Sequence, residues 1–305
     1  GKIMKRDSMM PGRRRWLAGA AAFGGAALAA PAIARAADCT EDTLDHIAKA
    51  GVFNLGVRDA TPPYGFKDAD GHYVGFATEI AERIHAAVNQ QLGGKIGIKM
   101  IPVTGQTRMP LLQNGTIDLE AGATVITQQR TQVVDFVLPH FLTSTEVLVT
   151  IDSPIHKLAD LAGKRIGVPQ GGLEEPAYRA LNAKGTLSPP VRIIGFPDHP
   201  QGFTALQTGS IDGYSSDGPI LYGYGNDKTK WRVVDIGINT FLQAFPIRPE
   251  SSKFKRIADV TIAQLCASGG WDKLYQKYFG PDSKTPFPMT DALKTLVVMN
   301  SWPPQ

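Results

Sequence analysis

The apolar residues between positions 43 and 122 follow two alternating patterns. Phe76, Ile80 and Ile84 recur at helical spacing with charged residues between them, which predicts an amphipathic helix. Short β-branched runs on either side predict strands, and Gly marks where the shorter helices end. The predicted strands cover residues 52–57, 96–103 and 117–122, and the predicted helices cover 44–50, 76–88 and 109–113. This alternation predicts an α/β lobe with a largely parallel sheet.

The same order of elements recurs later in the chain. Residues 158–168 repeat the helix, Gly and strand of residues 44–57, and residues 206–212 repeat residues 112–118 at a distance of 94 positions. Helix–strand junctions resemble one another in general, but two matches in the same order favour two lobes of one topology. The extended segments 141–150 and 233–245 are candidates to connect the lobes. A cleft between two such lobes is a natural ligand site.

The first 36 residues differ in composition from the rest. Basic residues end at Arg13, Arg14 and Arg15, and an Ala- and Gly-rich apolar stretch follows, with small residues around Ala36. This order predicts a secretory signal peptide over residues 1–36, cleaved after Ala36, and therefore a periplasmic protein. The arginines fit either an ordinary export signal or a twin-arginine signal.

The signal also accounts for the basic charge of the chain. The formal net charge is +4, but residues 1–36 contain seven Lys or Arg and one acid, so 25 basic and 27 acidic residues remain. That near-neutral balance gives no field for gathering nucleic acid. The two cysteines, Cys39 and Cys266, are expected to pair in an oxidising compartment.

Residues 171–172, two glycines after a predicted strand, raise the question of a phosphate loop. Glu174 and Glu175 follow instead of Lys and Ser or Thr, and their carboxylates would repel a phosphate, so nucleotide binding is rejected. The acidic pair fits the first turn of a helix that begins near Pro176. The sequence predicts neither a cofactor nor a metal site.

Four segments together resemble the family 3 extracellular solute-binding proteins, which serve amino acid ABC importers. They are residues 71–80, the Thr-x-x-Arg sequence that ends at Arg130, residues 162–168 and residues 268–280. The resemblance extends over about residues 41–300. It implies a bilobal periplasmic-binding-protein fold of type II, an α/β fold with two lobes joined by a two-stranded hinge. Lobe 1 is expected at 37–143 and 240–305, and lobe 2 at 144–239.

Residues 101–116 and 43–49 are similar to the periplasmic glutamate/aspartate-binding proteins of that family. The resemblance implies a monomeric, non-enzymatic protein that captures an acidic amino acid and delivers it to an inner-membrane ABC permease. The alternative is an enzyme on the same scaffold, because cyclohexadienyl dehydratases share this fold.

The resemblance also suggests roles for individual residues. Arg130 is expected at the ligand's α-carboxylate, because a guanidinium donates two parallel hydrogen bonds, and Asp217 at the α-ammonium. Arg58 and Arg108 follow predicted strands, and they match arginines that face the side-chain carboxylate. His199 matches a site histidine, although a surface-loop histidine beside Pro200 is an equal reading.

The chain departs from the glutamate/aspartate pattern where that group has Ser or Thr. Gly105, Ala123, Val125 and Gly172 lack the hydroxyl, and Thr124 keeps one nearby. Backbone N–H groups at 122–125 and 171–172 remain available to a carboxylate. Losing several hydrogen-bond donors, at ~0.5–1.5 kcal/mol each, strongly changes the affinity for glutamate or aspartate. The ligand could therefore also be a different dicarboxylate or a larger acidic amino acid. The expected ligand-binding residues are Arg58, Arg108, Ala123, Thr124, Val125, Arg130, Gly172, His199 and Asp217.

Overall fold

The computed structural model describes residues 41–303, except for the side chain of Asn239. The predicted signal peptide at 1–36 and Cys39 lie outside these residues. None of the described helices combines the length and the apolar character that crossing a bilayer requires.

Nine helices and thirteen strands make up the described chain. The helices are α1 (Thr43–Ala50), α2 (Phe76–Gln91), α3 (Arg108–Gln113), α4 (Glu174–Ala183), α5 (His199–Gln207), α6 (Gly218–Tyr224), α7 (Ser252–Ala267), α8 (Gly270–Phe279) and α9 (Asp291–Asn300). The strands are β1 (Val52–Val57), β2 (Ala60–Thr61), β3 (Gly65–Lys67), β4 (Tyr73–Val74), β5 (Gly97–Pro102), β6 (Leu119–Ala121), β7 (Asp135–Phe136), β8 (Phe141–Thr150), β9 (Arg165–Pro169), β10 (Arg192–Phe196), β11 (Gly213–Asp217), β12 (Trp231–Gln243) and β13 (Pro246–Ile247). Two short 3-10 helices cover Arg130–Gln132 and Leu158–Leu161.

The first lobe is built on a five-stranded sheet in the order β5-β1-β6-β13-β7. β1 pairs in parallel with β5 and β6, and β13 runs antiparallel to its neighbours. Helix α2 buries Phe76, Ile80 and Ile84 in the core of this lobe, which confirms the predicted apolar face. Trp271 and Phe279 of α8 join Phe76 in an aromatic cluster, so the C-terminal helices return to this lobe.

The second lobe contains a five-stranded sheet in the order β10-β9-β11-β8-β12. β9 pairs in parallel with β10 and β11, and β8 runs antiparallel to β11 and β12. The predicted fold class is therefore confirmed: two α/β lobes of the type II periplasmic-binding-protein fold.

The long strands β8 and β12 connect the two lobes. They pair from Phe141 opposite Gln243 to Thr150 opposite Trp231, with register shifts around Ile238. At one end of β8, Phe141 packs in the core of the first lobe, and farther along Val147 packs in the core of the second. The two strands thus form the hinge; the residue boundaries given above for the lobes stay a prediction.

An aspartate makes the same two hydrogen bonds to the backbone in each lobe. Asp118 Oδ2 accepts a hydrogen bond from the Asn54 backbone N–H at 2.8 Å, and Asp212 Oδ2 accepts one from the Arg165 backbone N–H at 2.8 Å. Each aspartate also donates its own N–H to the carbonyl of the same partner residue. These two positions are equivalent in the sequence repeat, so the repeat corresponds to one structural unit used twice.

The structure differs from the sequence prediction at two points. The segment after Arg58 contains the small antiparallel sheet β2-β3-β4, for which the sequence predicted no strands. Helix α4 begins at Glu174 rather than near Pro176, because proline is tolerated throughout a first turn whose N–H groups have no helical acceptor. Cys266 is a buried thiol in α7 without a disulfide partner among the described residues, and Cys39, with which it is expected to pair, lies outside them.

Candidate functional site

The candidate site lies where the carboxyl ends of strands from both lobes face each other. Arg58 directly follows β1, His199 begins α5 after β10, and Asp217 is the last residue of β11. Open α/β sheets bind ligands outside these strand ends, because the loops and helix N-termini there converge. The two lobes therefore present their ligand edges to one shared cleft.

The cleft encloses a cavity of about 40 Å³. Its wall is formed by residues of both lobes: Arg58, Thr61, Gly105, Arg108, Ala123, Pro169, Gln170, Gly172, Glu174, Asp198, His199, Ser216, Asp217 and Ile220. That volume has room for only a few water molecules. The side chains of the two lobes therefore fill most of the space between them in this structure.

Six of the nine expected ligand residues line this cavity. They are Arg58, Arg108, Ala123, Gly172, His199 and Asp217. The other three, Thr124, Val125 and Arg130, lie beside the cavity rather than in its wall. Thr124 contacts Arg108 of the wall, and Arg130 contacts the backbone carbonyls of Val125 and Gly171.

Arg108 is held by a buried chain of polar groups. Its Nη1 donates to Thr124 Oγ1 at 2.5 Å, and Thr124 Oγ1 donates to Glu120 Oε2 at 2.6 Å. Burial lowers the pKa of Arg108 to about 10, and the Glu120 carboxylate opposes that shift, so the guanidinium stays charged at neutral pH. Thr124 therefore orients an arginine through its hydroxyl.

Arg58 forms an ion pair across the cleft. Its Nη2 lies 2.8 Å from Asp198 Oδ1, and both groups are largely withdrawn from solvent. Nearby, the Tyr224 hydroxyl of the second lobe donates to the Ala60 carbonyl at 2.8 Å. These contacts connect the lobes through side chains on one side of the cavity.

Arg130 connects the lobes on the other side. Its Nη1 donates to the Val125 carbonyl at 2.7 Å, and its Nη2 donates to the Gly171 carbonyl of the second lobe at 3.0 Å. Arg108 Nη2 reaches the same Gly171 carbonyl at 3.3 Å. Two guanidinium groups therefore converge on one backbone oxygen at the rim of the cleft.

The backbones of the two lobes meet at Gly105. A Cβ atom on Gly105 would lie 2.4 Å from the Gln170 carbonyl oxygen, and one on Gly171 would lie 2.4 Å from the Gly105 carbonyl oxygen. No side chain fits between the lobes at this distance. The two loops can therefore approach each other this closely only because position 105 is a glycine, where the glutamate/aspartate pattern has Ser or Thr.

Asp217 lies at the hinge end of the cavity. Its Oδ2 accepts a hydrogen bond from Gln243 Nε2 of β12 at 2.8 Å, and the residue is 8% exposed. Burial raises the pKa of Asp217 well above its usual value, and the neighbouring carboxylate of Glu174 raises it further. A cation placed beside these two carboxylates would be strongly stabilised.

His199 is a buried residue of the cavity wall, which excludes the surface-loop reading. Its Nδ1 lies 3.0 Å from the Tyr214 hydroxyl, and Tyr214 is itself buried. Burial, then the charges of Arg58 and Arg108, lower the pKa of His199 well below its usual value. The imidazole is therefore neutral and contributes a hydrogen-bonding nitrogen rather than a charge.

Three residues of this site are absent from the expected set. Asp198 pairs with Arg58, Gln243 donates a hydrogen bond to Asp217, and Glu174 is buried in the cavity wall, whereas the sequence placed it only in the first turn of a helix. Asp198 directly precedes the expected His199, which is a weak local signal for it. Nothing in the local sequence distinguishes Glu174 from Glu175.

Metal-ligating groups come together elsewhere among the described residues. Asp68, Asp70 and His72 lie in the turn between β3 and β4, and their ligand atoms fall within 4.8 Å of one another. Asp68 Oδ1 already accepts the N–H groups of Asp70 and His72, as in an ordinary turn. This group is no part of the cleft.

The family model for bacterial extracellular solute-binding proteins, family 3, matches residues 53–281. The glutamate/aspartate import solute-binding protein of Escherichia coli is 32% identical over 83% of this chain and 83% of its own length. The L-glutamate/L-aspartate-binding protein of Pseudomonas aeruginosa is 30% identical over 89% of this chain and 92% of its own. The glutamine-binding protein of Geobacillus stearothermophilus is 31% identical over 64% and 71%.

Among solved structures, an ancestral amino acid-binding protein is similar to this chain. It is described as a precursor of cyclohexadienyl dehydratase. Its TM-score is 0.67 at 26% identity, and the match covers 78% of this chain and all of that one. The arrangement of both lobes is therefore shared with an amino acid-binding protein.

We predict that Gly105→Ala prevents the described approach of the lobes without unfolding the protein. The new methyl group would overlap the Gln170 carbonyl oxygen, whereas the φ angle at Gly105 is one that alanine adopts. Small-angle X-ray scattering should give a larger radius of gyration than for the wild type, with an unchanged melting temperature. Gly97→Ala, where the nearest atom is 3.8 Å away, is the matched control. Equal radii for both variants would contradict the role of this contact.

Proposed function

The chain belongs to family 3 of the bacterial extracellular solute-binding proteins, and from that premise we propose that it captures an acidic amino acid, resembling glutamate or aspartate, for an ABC permease. The ligand lies between the lobes, and the two-stranded hinge lets them close around it. The observation that carries this proposal is the convergence of Arg58, Arg108 and Arg130 with Asp217 on a single cleft.

These groups match the charges of such a ligand. An amino acid in a closed cleft needs a partner for its carboxylate and one for its ammonium, because unpaired buried charges are costly. Arg130 Nη2 donates to the Gly171 carbonyl at the rim, and a ligand carboxylate can replace that carbonyl when the lobes separate. Asp217 is the buried carboxylate for the ammonium.

Arg58 and Arg108 are assigned to the second carboxylate of the ligand. Both guanidinium groups line the cavity, and the neutral His199 lies beside them as a further hydrogen-bonding group. The glutamate/aspartate proteins named above support this assignment as relatives. Asp198 offsets part of the charge of Arg58, and Glu120 offsets part of the charge of Arg108.

The proposal also specifies a cellular location and a partner protein. Residues 1–36 would direct export, by an ordinary or a twin-arginine route, and the mature monomer would act in the periplasm. The permease of the inner membrane would recognise the closed lobes. A thermal-shift screen over amino acids and dicarboxylates tests the ligand class, since a ligand that binds the folded state raises the melting temperature. The largest shift is expected for glutamate or aspartate.

Glu174 favours a second candidate function, an enzyme of the cyclohexadienyl dehydratase type. Burial raises the pKa of this cavity carboxyl to about 7, which suits a general acid. We expect no turnover, because the same cleft contains charged partners for both the carboxylate and the ammonium of a zwitterion. Incubation with prephenate or arogenate, followed by absorbance of the aromatic product, decides between the two functions. Product formation above the no-protein control would favour the enzyme.

We predict that Arg130→Ala removes ~2–5 kcal/mol of binding free energy for the acidic amino acid, because a desolvated carboxylate loses its charged partner. Arg130→Lys should restore only part of it, since an ammonium lacks the planar fork. Isothermal titration calorimetry measures both. Arg179→Ala is the control, because Arg179 is an exposed residue of α4 that pairs with Glu175 outside the cavity. Unchanged affinity in Arg130→Ala would refute the assignment.

We predict that Arg58→Ala and Arg108→Ala weaken glutamate more than glutamine. In Arg58→Ala, Asp198 also loses its partner and repels a ligand carboxylate, which glutamine does not carry in its side chain. Calorimetry with both ligands gives the ratio of dissociation constants for each variant. If the two ligands lose equal affinity, neither arginine faces the side-chain end.

A further inference from the structure

Glu174 occupies the space that a side chain on residue 172 would fill. Glu174 is the first residue of α4, and a Cβ atom on Gly172 would lie 2.1 Å from its Oε2. The carboxyl group therefore folds back over Gly172 into the cavity. A carboxylate here replaces the hydroxyl that the glutamate/aspartate pattern places at position 172.

The Glu174 carboxyl is buried with one oxygen unsatisfied. The residue is 4% exposed, and its Oε2 has no hydrogen-bond partner within residues 41–303. Burial raises the pKa of this carboxyl, and the backbone N–H groups of Glu174 and Leu173, together with the charges of Arg130 and Arg108, oppose that shift. A buried carboxylate oxygen without a donor costs free energy until something donates to it.

Glu174 and Asp217 repel each other across the same cavity. Both line its wall, and the charge of Glu174 disfavours ionisation of Asp217. Among the described residues, Asp217 accepts a side-chain hydrogen bond at Oδ2, from Gln243, and Glu174 Oε2 accepts none, so each of these two residues of the cavity wall keeps one carboxylate oxygen without a side-chain donor. An ammonium group has three N–H donors and no acceptor, which complements two such oxygens.

We propose that Glu174 is a ligand-binding residue, and that together with Asp217 it holds the ligand's ammonium group from two sides. This inference rests on the proposed capture of an amino acid in this cleft. The pair of carboxylates makes the site selective for a ligand with an amine and against a plain dicarboxylate. Gly172 is then a specificity residue as well, since any side chain there would displace the Glu174 carboxyl.

The experiment compares two ligands that differ only in the ammonium. Isothermal titration calorimetry measures L-glutamate and glutarate against the wild type, Glu174→Gln and Glu175→Gln. The last variant makes the same chemical change one residue away, where the side chain pairs with Arg179 outside the cavity. Glu174→Gln keeps the shape of the side chain and relieves repulsion with Asp217, so its melting temperature should not fall.

We expect Glu174→Gln to weaken glutamate by about tenfold to a hundredfold and to leave glutarate unchanged or tighter. Glu175→Gln should change neither. Equal losses for both ligands, or unchanged glutamate affinity, would overturn the inference.

A failure of the proposed ligand class shows in the wild type instead. If the wild type binds another amino acid, that amino acid and its deaminated counterpart replace L-glutamate and glutarate in the experiment. The expected and the contradicting results for Glu174→Gln stay the same. A wild type that binds no amino acid refutes both proposals.

Discussion

Compensation of buried charge governs this cleft. Closing two lobes over three guanidinium groups and several carboxylates removes them from water, which is tolerable only where each charge meets an opposite charge or a hydrogen bond. Arg58 with Asp198 meets this condition across the lobes, and Arg108 meets it within one lobe through Thr124 and Glu120. Asp217 meets it only at Oδ2, through Gln243, and Glu174 Oε2 has no hydrogen-bond partner among the described residues, so the cavity wall formed by these two carboxylates is where a positive group is required.

Much of the fold was predictable because its signals are local. The period of α2, the cap of α1 and the β-branched run of β8 gave boundaries close to those observed. The small sheet β2-β3-β4 was missed because strands of two or three residues have no measurable period. The start of α4 was misplaced because Pro176 marks a first turn without fixing which of its positions it occupies.

The site was predictable only in part. Positions after strands are visible in a sequence, and the resemblance to a known family supplied candidate residues there, of which six line the cavity. Pairings across the cleft are not visible: Arg58 and Asp198 are 140 residues apart and meet only through the relative placement of two lobes. The orientation of Glu174 depends on the absence of a side chain at Gly172, a tertiary relation that residue type alone does not encode.

The contact of Gly105 with the loop at Gly171 involves main-chain atoms on both sides. Substitutions there are restricted by geometry rather than by ligand chemistry, so evolution has little freedom to tune recognition at this rim. New preferences must arise deeper, at positions such as 123, 172 and 174, where side chains differ in size and polarity while closure is preserved. An engineer who retargets this scaffold, for instance as a biosensor, can therefore keep Gly105 and Gly171 unchanged and restrict a library of substitutions to positions 123, 172 and 174.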